Sequence, residues 1–220
     1  MYTFNRSLAV FACLSAVLLA GCSEDGFEAF VDPGTTSVTT NPGVISQKHF
    51  SVKASELFPQ VVDTTNNTYT ETEVTITVRI GDRNNLSITD PHTVSFRTEY
   101  GLINPSTCQT DENGTCSVTW IADADPFDVV PDFLVTITAF AIGEESFTDS
   151  NGNAVFDDGD AGFEDLEEPY NDANRNEIYD AGDTIIDVAS TNDPTGQNLQ
   201  HDIGDGFFNG AGCTHSSLRR

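Results

Sequence analysis

Apolar and polar residues alternate along the middle of the chain, from Ile45 to Gly143. The clearest run is residues 74–80, in which every second residue is Val or Ile and the residues between are Thr or Arg. A period of two places the apolar side chains on one face of a β-strand. The same alternation predicts further strands over residues 50–54, 94–98, 118–122 and 134–142.

Turn-forming residue pairs separate these predicted strands. They are Gly81-Asp82, Asp90-Pro91, Asn104-Pro105 and Asn113-Gly114. Such pairs favour chain reversal, and several short strands at this spacing are typical of an antiparallel β-sandwich. About a hundred residues are enough for one hydrophobic core of this kind. The pattern therefore predicts an all-β fold, with an antiparallel sandwich over residues 44–143.

A different pattern follows residue 143 and is written twice. Residues 147–160 read FTDSNGNAVFDDGD, and residues 170–183 read YNDANRNEIYDAGD. The copies are in register, because Asp172 lies 23 residues after Asp149. We call residues 149–160 loop 1, residues 172–183 loop 2 and residues 144–220 the acidic segment.

Each loop carries carboxylate or amide side chains at positions 1, 3, 5, 9 and 12, and position 7 would offer its backbone carbonyl. This is the ligand spacing of a twelve-residue calcium loop, since a hard cation needs six to eight oxygens at short distance. The predicted ligands are Asp149, Asn151, Asn153, Val155, Asp157 and Asp160 in loop 1, and Asp172, Asn174, Asn176, Ile178, Asp180 and Asp183 in loop 2.

Two departures predict weak calcium binding. Position 6, usually Gly because the turn there is sharp, is Ala154 in loop 1 and Glu177 in loop 2. Position 12 is Asp in both loops rather than the longer Glu, so dissociation constants on the order of 10⁻⁴–10⁻³ M are expected. The alternative is a pair of Asx-rich turns that bond their own backbone and bind no ion.

No amphipathic helix flanks either loop, so the sequence does not predict an EF-hand helix pair. The loops resemble those of dockerins and thrombospondin type 3 repeats, over these two short segments only.

Other residues of the acidic segment are weaker candidates. Glu168 is a predicted further ligand because it lies just before loop 2. Asp202, Asp205 and Asn209 would form either a third cation site or only part of a glycine-rich loop. Residues 184–188 are predicted to form a short strand. Four aromatic residues are expected to pack the loops together: Phe156, Phe163, Tyr170 and Tyr179.

The first 43 residues predict export and anchoring. Residues 1–21 have the charged start and short apolar core of a signal peptide, too short to span a bilayer. The run Leu19-Ala20-Gly21-Cys22 resembles a bacterial lipobox. That resemblance implies that Cys22 carries acyl chains such as palmitate, and Ser23 after it implies sorting to the outer membrane. Residues 22–43 are rich in Thr, Gly and Pro and predict a flexible tether.

Charge excludes one class of partner. The 220-residue chain has a formal net charge of −26, and Arg175 is the only Lys or Arg between Glu144 and Asp205. Such a surface repels nucleic acid phosphates. Bound cations would relieve the repulsion among the carboxylates; the alternative is a simple solvated acidic surface.

Residues 92–120, with the later stretch LVTITAFAIG, resemble a bacterial immunoglobulin-like domain of the invasin and intimin type. In that family a T-D-x-N-G hairpin turn joins two strands, and Thr110, Asp111, Asn113 and Gly114 match it. The resemblance implies an adhesive or spacer module rather than an enzyme.

Cys108 and Cys116 flank this turn. If they lie opposite each other across a hairpin, they can form a disulfide in the oxidising compartment that export implies. A metal pair is the alternative, but no further Cys or His lies nearby at ligand spacing. Cys213 would then stay free or pair with another chain.

Together these features predict a lipid-anchored envelope protein with a calcium-stabilised immunoglobulin-like module, structural or adhesive in function. Its partners would be the membrane, through the anchor, and a protein at the cell surface or in the periplasm. Two alternatives are a subunit of a larger envelope assembly and, less favoured, a carboxylate-dependent hydrolase. The four histidines show no ligand spacing and no catalytic residues are predicted.

Overall fold

The computed structural model describes residues 43–63, 65–66, 68–122, 134–188 and 198–210, all within one compact unit of the chain. The predicted signal peptide, Cys22 and Cys213 lie outside these residues, as does the predicted tether except for Gly43. Within the described residues no helix is long and apolar enough to cross a bilayer.

The described chain is nearly all β, which confirms the predicted fold class. Its one helical element there is a short 3-10 turn, Gln47–His49. The strands are β1 Phe50–Ala54, β2 Val62–Asp63, β3 Thr68–Tyr69, β4 Thr72–Ile80, β5 Thr93–Thr98, β6 Leu102–Asn104, β7 Thr107–Gln109, β8 Thr115–Ala122, β9 Ile137–Phe140, β10 Tyr170–Asn171 and β11 Thr184–Ile185.

Two antiparallel sheets form the first part of the structure, which we call the two-sheet unit (residues 44–143). One sheet has the strand order β1-β4-β8-β6 and the other β7-β5-β9. The pairs β2-β3 and β10-β11 form two small separate ribbons.

The core of the two-sheet unit follows from the alternation in the sequence. On β4, Val74 and Val78 are buried while Thr75 and Arg79 are exposed. They join Phe96 from the second sheet in a single buried cluster. Burying one such side chain stabilises the fold by about 1.5–3 kcal/mol.

The only tryptophan of the chain, Trp120, lies in this core. It pairs with Val74 across the β4-β8 ladder, and its indole Nε1 donates to the carbonyl of Tyr100 at 2.8 Å. That bond satisfies the polar atom of an otherwise apolar side chain. Trp120 therefore reports on the integrity of the two-sheet unit.

The T-D-x-N-G turn does not close a hairpin within one sheet, which corrects the expected arrangement. β7 pairs with β5, whereas β8 pairs with β4. The turn therefore carries the chain from one sheet to the other. Asp111 organises it by accepting the backbone N–H groups of Asn113 and Thr115, each at 2.9 Å.

The predicted disulfide Cys108–Cys116 is present, with a Cα–Cα distance of 6.0 Å. Because its two ends lie in β7 and β8, it links the two sheets.

Two predicted strands are shorter than the pattern indicated. Only Ile137–Phe140 of residues 134–142 pairs with β5. Just before β9 the Glu99 N–H donates to the Thr136 carbonyl at 3.0 Å and the Glu99 carboxylate accepts the Thr136 N–H at 3.1 Å, and Ile142 beyond its end is 90% exposed. Similarly, β11 comprises only Thr184–Ile185 of residues 184–188.

The start and the end of the two-sheet unit meet. Glu144 donates its N–H to the carbonyl of Ile45 at 2.7 Å, and Gln47 donates to the carbonyl of Glu144 at 3.0 Å. Ser46 donates to Gly81 in turn. The acidic segment thus begins beside the end of β4.

Candidate metal centre

The two loops share one hydrogen-bond framework. In loop 1 the position 1 carboxylate, Asp149, accepts the N–H of Ala154 at 2.9 Å and that of Asn153 at 3.2 Å. In loop 2 the corresponding Asp172 accepts the N–H of Glu177 at 2.7 Å and that of Asn176 at 3.2 Å. The aspartate therefore folds each loop around its own carboxylate.

Positions 3, 5 and 9 are also brought together. The amides of Asn151 and Asn153 donate to the carboxylate of Asp157 at 2.9 and 2.6 Å. Asn174 and Asn176 donate to Asp180 in the same way, at 3.0 and 2.8 Å.

Position 12 closes each loop. Asp160 accepts the N–H groups of Ser150 and Asp157, each at 2.9 Å. Asp183 accepts those of Ala173 and Asp180, at 2.9 and 2.8 Å. All five predicted side chains of each loop therefore belong to one network.

The sharp turn at position 6 is kept without glycine. Ala154 has φ +57° and Glu177 has φ +63°, both in the left-handed region that disfavours side chains. Position 4 is also left-handed, with Gly152 at φ +73° and Arg175 at φ +58°. Both loops hold this strained path, so the path is a property of the repeat.

The electrostatics follow from these donors. The Gly159 N–H, and after it the Asn153 amide, hold the pKa of the Asp157 carboxyl below its usual value. Each loop offers three carboxylates, two amides and a carbonyl, which are the hard oxygen donors that calcium prefers. However, no group of three or more His, Cys, Asp or Glu side chains within the described ranges is arranged to hold a metal ion.

Each loop is packed by its own pair of aromatic rings. Phe147 and Phe156 have ring centroids 5.5 Å apart, and their counterparts Tyr170 and Tyr179 also lie 5.5 Å apart. A third ring completes each set. Phe208 lies 4.7 Å from Phe156, and His201 stacks on Tyr179 at 3.9 Å.

Phe156 is 1% exposed, and Phe163 joins its cluster. The four aromatic residues that the sequence predicted to pack the loops together therefore lie in two clusters, one for each loop.

Glu168 lies at a junction of backbone segments. It is 4% exposed. Its two carboxylate oxygens accept the N–H groups of Val188 at 3.0 Å and Asp202 at 3.1 Å. These bonds connect the chain two residues before β10 with the chain after β11 and with residues 198–210.

The residues of the suggested third cation site lie in two places. Asp202 contacts Asn198 and the Glu168 carboxylate. Asp205 instead accepts the Phe207 N–H at 2.8 Å and the Asn209 amide at 3.4 Å.

The structure also shows polar residues that sequence reasoning missed. Glu145 is buried and accepts the N–H groups of Leu166 at 2.9 Å and Asn209 at 2.7 Å. Burial, and secondarily the charge of Asp165, raises the pKa of the Glu145 carboxyl. Arg83 binds Glu144 with two nitrogens. No local sequence signal marks either residue, because their partners are distant in the chain.

Comparison with protein-family models, curated proteins and solved structures finds no match for this chain. The fold and the loops define an all-β protein with antiparallel sheets and an acidic segment that carries two equivalent oxygen-rich loops.

Proposed function

We propose that this protein is a lipid-anchored protein of the bacterial envelope, in which an immunoglobulin-like sandwich is stabilised by calcium held in loops 1 and 2. The function is structural or adhesive. The anchor is the acylated Cys22, the membrane is the outer membrane, and the tether holds the folded part away from it.

The repeated loop framework carries this proposal. Two segments 23 residues apart fold the same five side chains into the same bonds, with the same left-handed residues at positions 4 and 6. Position-by-position repetition of this framework is what a shared ion requirement would produce.

Calcium would take the place of the Asn side-chain amides, which now donate hydrogen bonds to the position 9 carboxylates of Asp157 and Asp180. The three carboxylates of each loop and the carbonyls of Val155 and Ile178 would face the ion. A divalent cation would also offset part of the charge of a segment with a single Lys or Arg between Glu144 and Asp205.

The sandwich assignment is supported by two antiparallel sheets that share one core and by the disulfide between them. We propose no catalytic residue. The buried carboxylates of Glu145, Glu168 and Asp172 each accept backbone N–H groups, which is an ordinary structural use.

Thermal unfolding of the chain from Ser23 onward tests the calcium sites. At about 10 mM calcium and the expected affinity, each occupied loop stabilises the fold by roughly 1.4–2.7 kcal/mol. The melting temperature should rise with calcium and much less with magnesium, which demands stricter octahedral geometry.

Asp149→Asn removes one ligand charge while keeping an acceptor oxygen, so it should remove about half of the calcium-induced rise. The matched control is Asp158→Asn, which removes a charge at the exposed, non-ligand position 10 of the same loop. An equal response to both metals, or no response, would show that the repeats are turns only.

A further inference from the structure

Two arginines connect the acidic segment to the two-sheet unit. The first, Arg83, lies in the turn after β4. Its guanidinium binds the Glu144 carboxylate in a bidentate pair, with Nε donating to Oε1 at 2.8 Å. Its remaining nitrogen, Nη1, donates to the carbonyl of Ala154. That carbonyl belongs to position 6 of loop 1, so Arg83 holds the turn of the loop from outside.

The second, Arg175, lies at position 4 of loop 2, and its side chain extends from the acidic segment to the two-sheet unit. It donates to the carbonyl of Leu134 at 2.8 Å, and its guanidinium lies 3.6 Å from the Glu99 carboxylate. Glu99 is itself fixed by the Thr136 N–H. One loop therefore receives an arginine from the two-sheet unit and the other supplies one to it.

The two contacts lie at opposite ends of the two-sheet unit. Arg83 lies three residues after Ile80, the last residue of β4. Glu99 lies near the other end, because Leu102 pairs with Ile121 and Ala122 pairs with Thr72 at the start of β4. Nine residues of β4 at about 3.3 Å each separate the two ends by roughly 26 Å or more. The acidic segment thus runs along the unit and is held at both ends.

These contacts differ in burial. The side chains of Arg83 and Glu144 are 12% and 3% exposed, whereas those of Arg175 and Glu99 are 28% and 23% exposed. Removing Arg83 alone would take the bidentate cationic partner from a buried carboxylate, which is strongly destabilising. Removing Arg175 leaves Glu99 partly hydrated.

We propose that Arg83 and Arg175 join the acidic segment and the two-sheet unit into one cooperative unfolding unit, so that an ion bound in either loop stabilises the distant sheets. The first half of this proposal rests on the contacts alone, and the second half rests on the proposed calcium sites. The two-sheet unit would then be sensitive to calcium although the predicted ligands all lie beyond it.

Urea unfolding without calcium tests the first half, on the chain from Ser23 onward. Trp120 fluorescence reports on the two-sheet unit, and amide hydrogen exchange of peptides covering residues 172–183 reports on loop 2. In the wild type the two unfolding midpoints should coincide. Loop 2 losing protection at clearly lower urea than the Trp120 midpoint would overturn the proposal.

Arg175→Met should separate the midpoints, with the exchange protection of loop 2 in water falling by about tenfold or more, the scale of losing a charge-assisted contact. Arg83→Met/Glu144→Gln removes both members of the buried pair and should loosen loop 1 in the same way. The control is Arg97→Met, because Arg97 contacts the Phe96 carbonyl and the Phe140 ring within the two-sheet unit. Coincident midpoints in both arginine variants would overturn the assignment.

Repeating the titrations at about 10 mM calcium tests the second half. The Trp120 midpoint should rise in the wild type and in Arg97→Met, and clearly less in a variant that combines the changes at Arg83, Glu144 and Arg175, in which the bonds of Lys48 to Phe147 and of Ser146 to Gln47 remain. If calorimetry shows bound calcium and the wild-type Trp120 midpoint does not move, the coupling is wrong. If no calcium binds, the proposed function and the second half are wrong, whereas the first half is already decided by the calcium-free titration.

Discussion

Position 6 of each loop holds a residue that its backbone conformation disfavours. Ala154 at φ +57° and Glu177 at φ +63° both lie where an L-residue is less stable than glycine, by about 1–2 kcal/mol. The sequence predicted weak calcium binding from the missing glycine, and that stays a prediction. The structure shows that the turn is retained with a residue other than glycine at position 6.

Ala154→Gly should therefore stabilise the protein by about 0.5–1 kcal/mol, after the greater flexibility of glycine in the unfolded chain is subtracted. Urea unfolding monitored by Trp120 fluorescence measures this. Ala161→Gly is the matched control at an exposed position outside the left-handed region, and it should destabilise by about 0.5–1 kcal/mol. A loss of stability in Ala154→Gly would mean that the alanine methyl group has a packing role.

At the scale of elements, Glu168 connects the ribbon β10-β11 to neighbouring segments of the chain by hydrogen bonds. It links the start of β10 to Val188 after β11 and to Asp202. Its backbone N–H also donates to the Asp202 carbonyl at 2.9 Å. The ligand role that the sequence suggested for Glu168 stays a prediction; in this structure its carboxylate joins these backbone segments.

Glu168→Ala should cost about 1–3 kcal/mol in calcium-free buffer, because buried N–H groups lose their acceptors. The neighbouring Glu167, whose side chain is 44% exposed, provides the control: Glu167→Ala should change stability by less than about 0.5 kcal/mol. Equilibrium unfolding with a chelator present measures both. A Glu168→Ala protein of normal stability but reduced calcium affinity would favour the ligand role.

The sequence predicted elements better than their partners. The alternation at Val74 and Ile76 identified β4, because one side of a strand must face the core. The Asn113-Gly114 pair identified a turn, but the chemistry of a turn does not say which sheet receives the next strand. That choice depends on packing between β7, β5, β4 and β8, which are distant in sequence.

The hydrogen-bond framework of the loops follows from a local pattern, the spacing of their Asp and Asn side chains; their role as ligands stays a prediction. The contacts that attach the loops to the two-sheet unit could not be predicted from the sequence. Arg83 and Ala154 are 71 residues apart, and Arg175 and Leu134 are 41 apart. A single sequence carries no signal for contacts between polar residues at such separations, whereas it does carry one for periodic apolar residues.

At the scale of the whole molecule, two groups of carboxylates respond to pH in opposite directions. Backbone N–H groups, that of Thr115 at Asp111 and that of Gly159 at Asp157, hold the pKa values of these exposed carboxyls below the ordinary 3.8. Their contribution to stability is present above pH 3.8 and is lost as pH falls through the lowered values. Burial instead raises the pKa of Glu145 above 4.5.

For Glu145 the folded state binds its proton more tightly than the unfolded state does. Its contribution to stability is therefore lost as pH rises from 4.5 through the raised value. Glu145→Gln should flatten the decline in stability over this range, while Glu56→Gln, at an exposed position, should leave it unchanged. Urea unfolding with a chelator at a series of pH values measures the slope. An unaltered slope in Glu145→Gln would assign the decline to other groups.

The pairing of Ile45 with Glu144 has a mechanical consequence. The bridge between Ser46 and Glu144 is parallel, so the chain enters and leaves the two-sheet unit along neighbouring, co-directional paths. A pull on residue 43 that is resisted at the acidic segment acts along these paths in opposite senses. It loads the bonds on both sides of Glu144 in shear, so that they must break together rather than one after another. Tension applied between residue 43 and the acidic segment would therefore meet this protein in its stiffer direction.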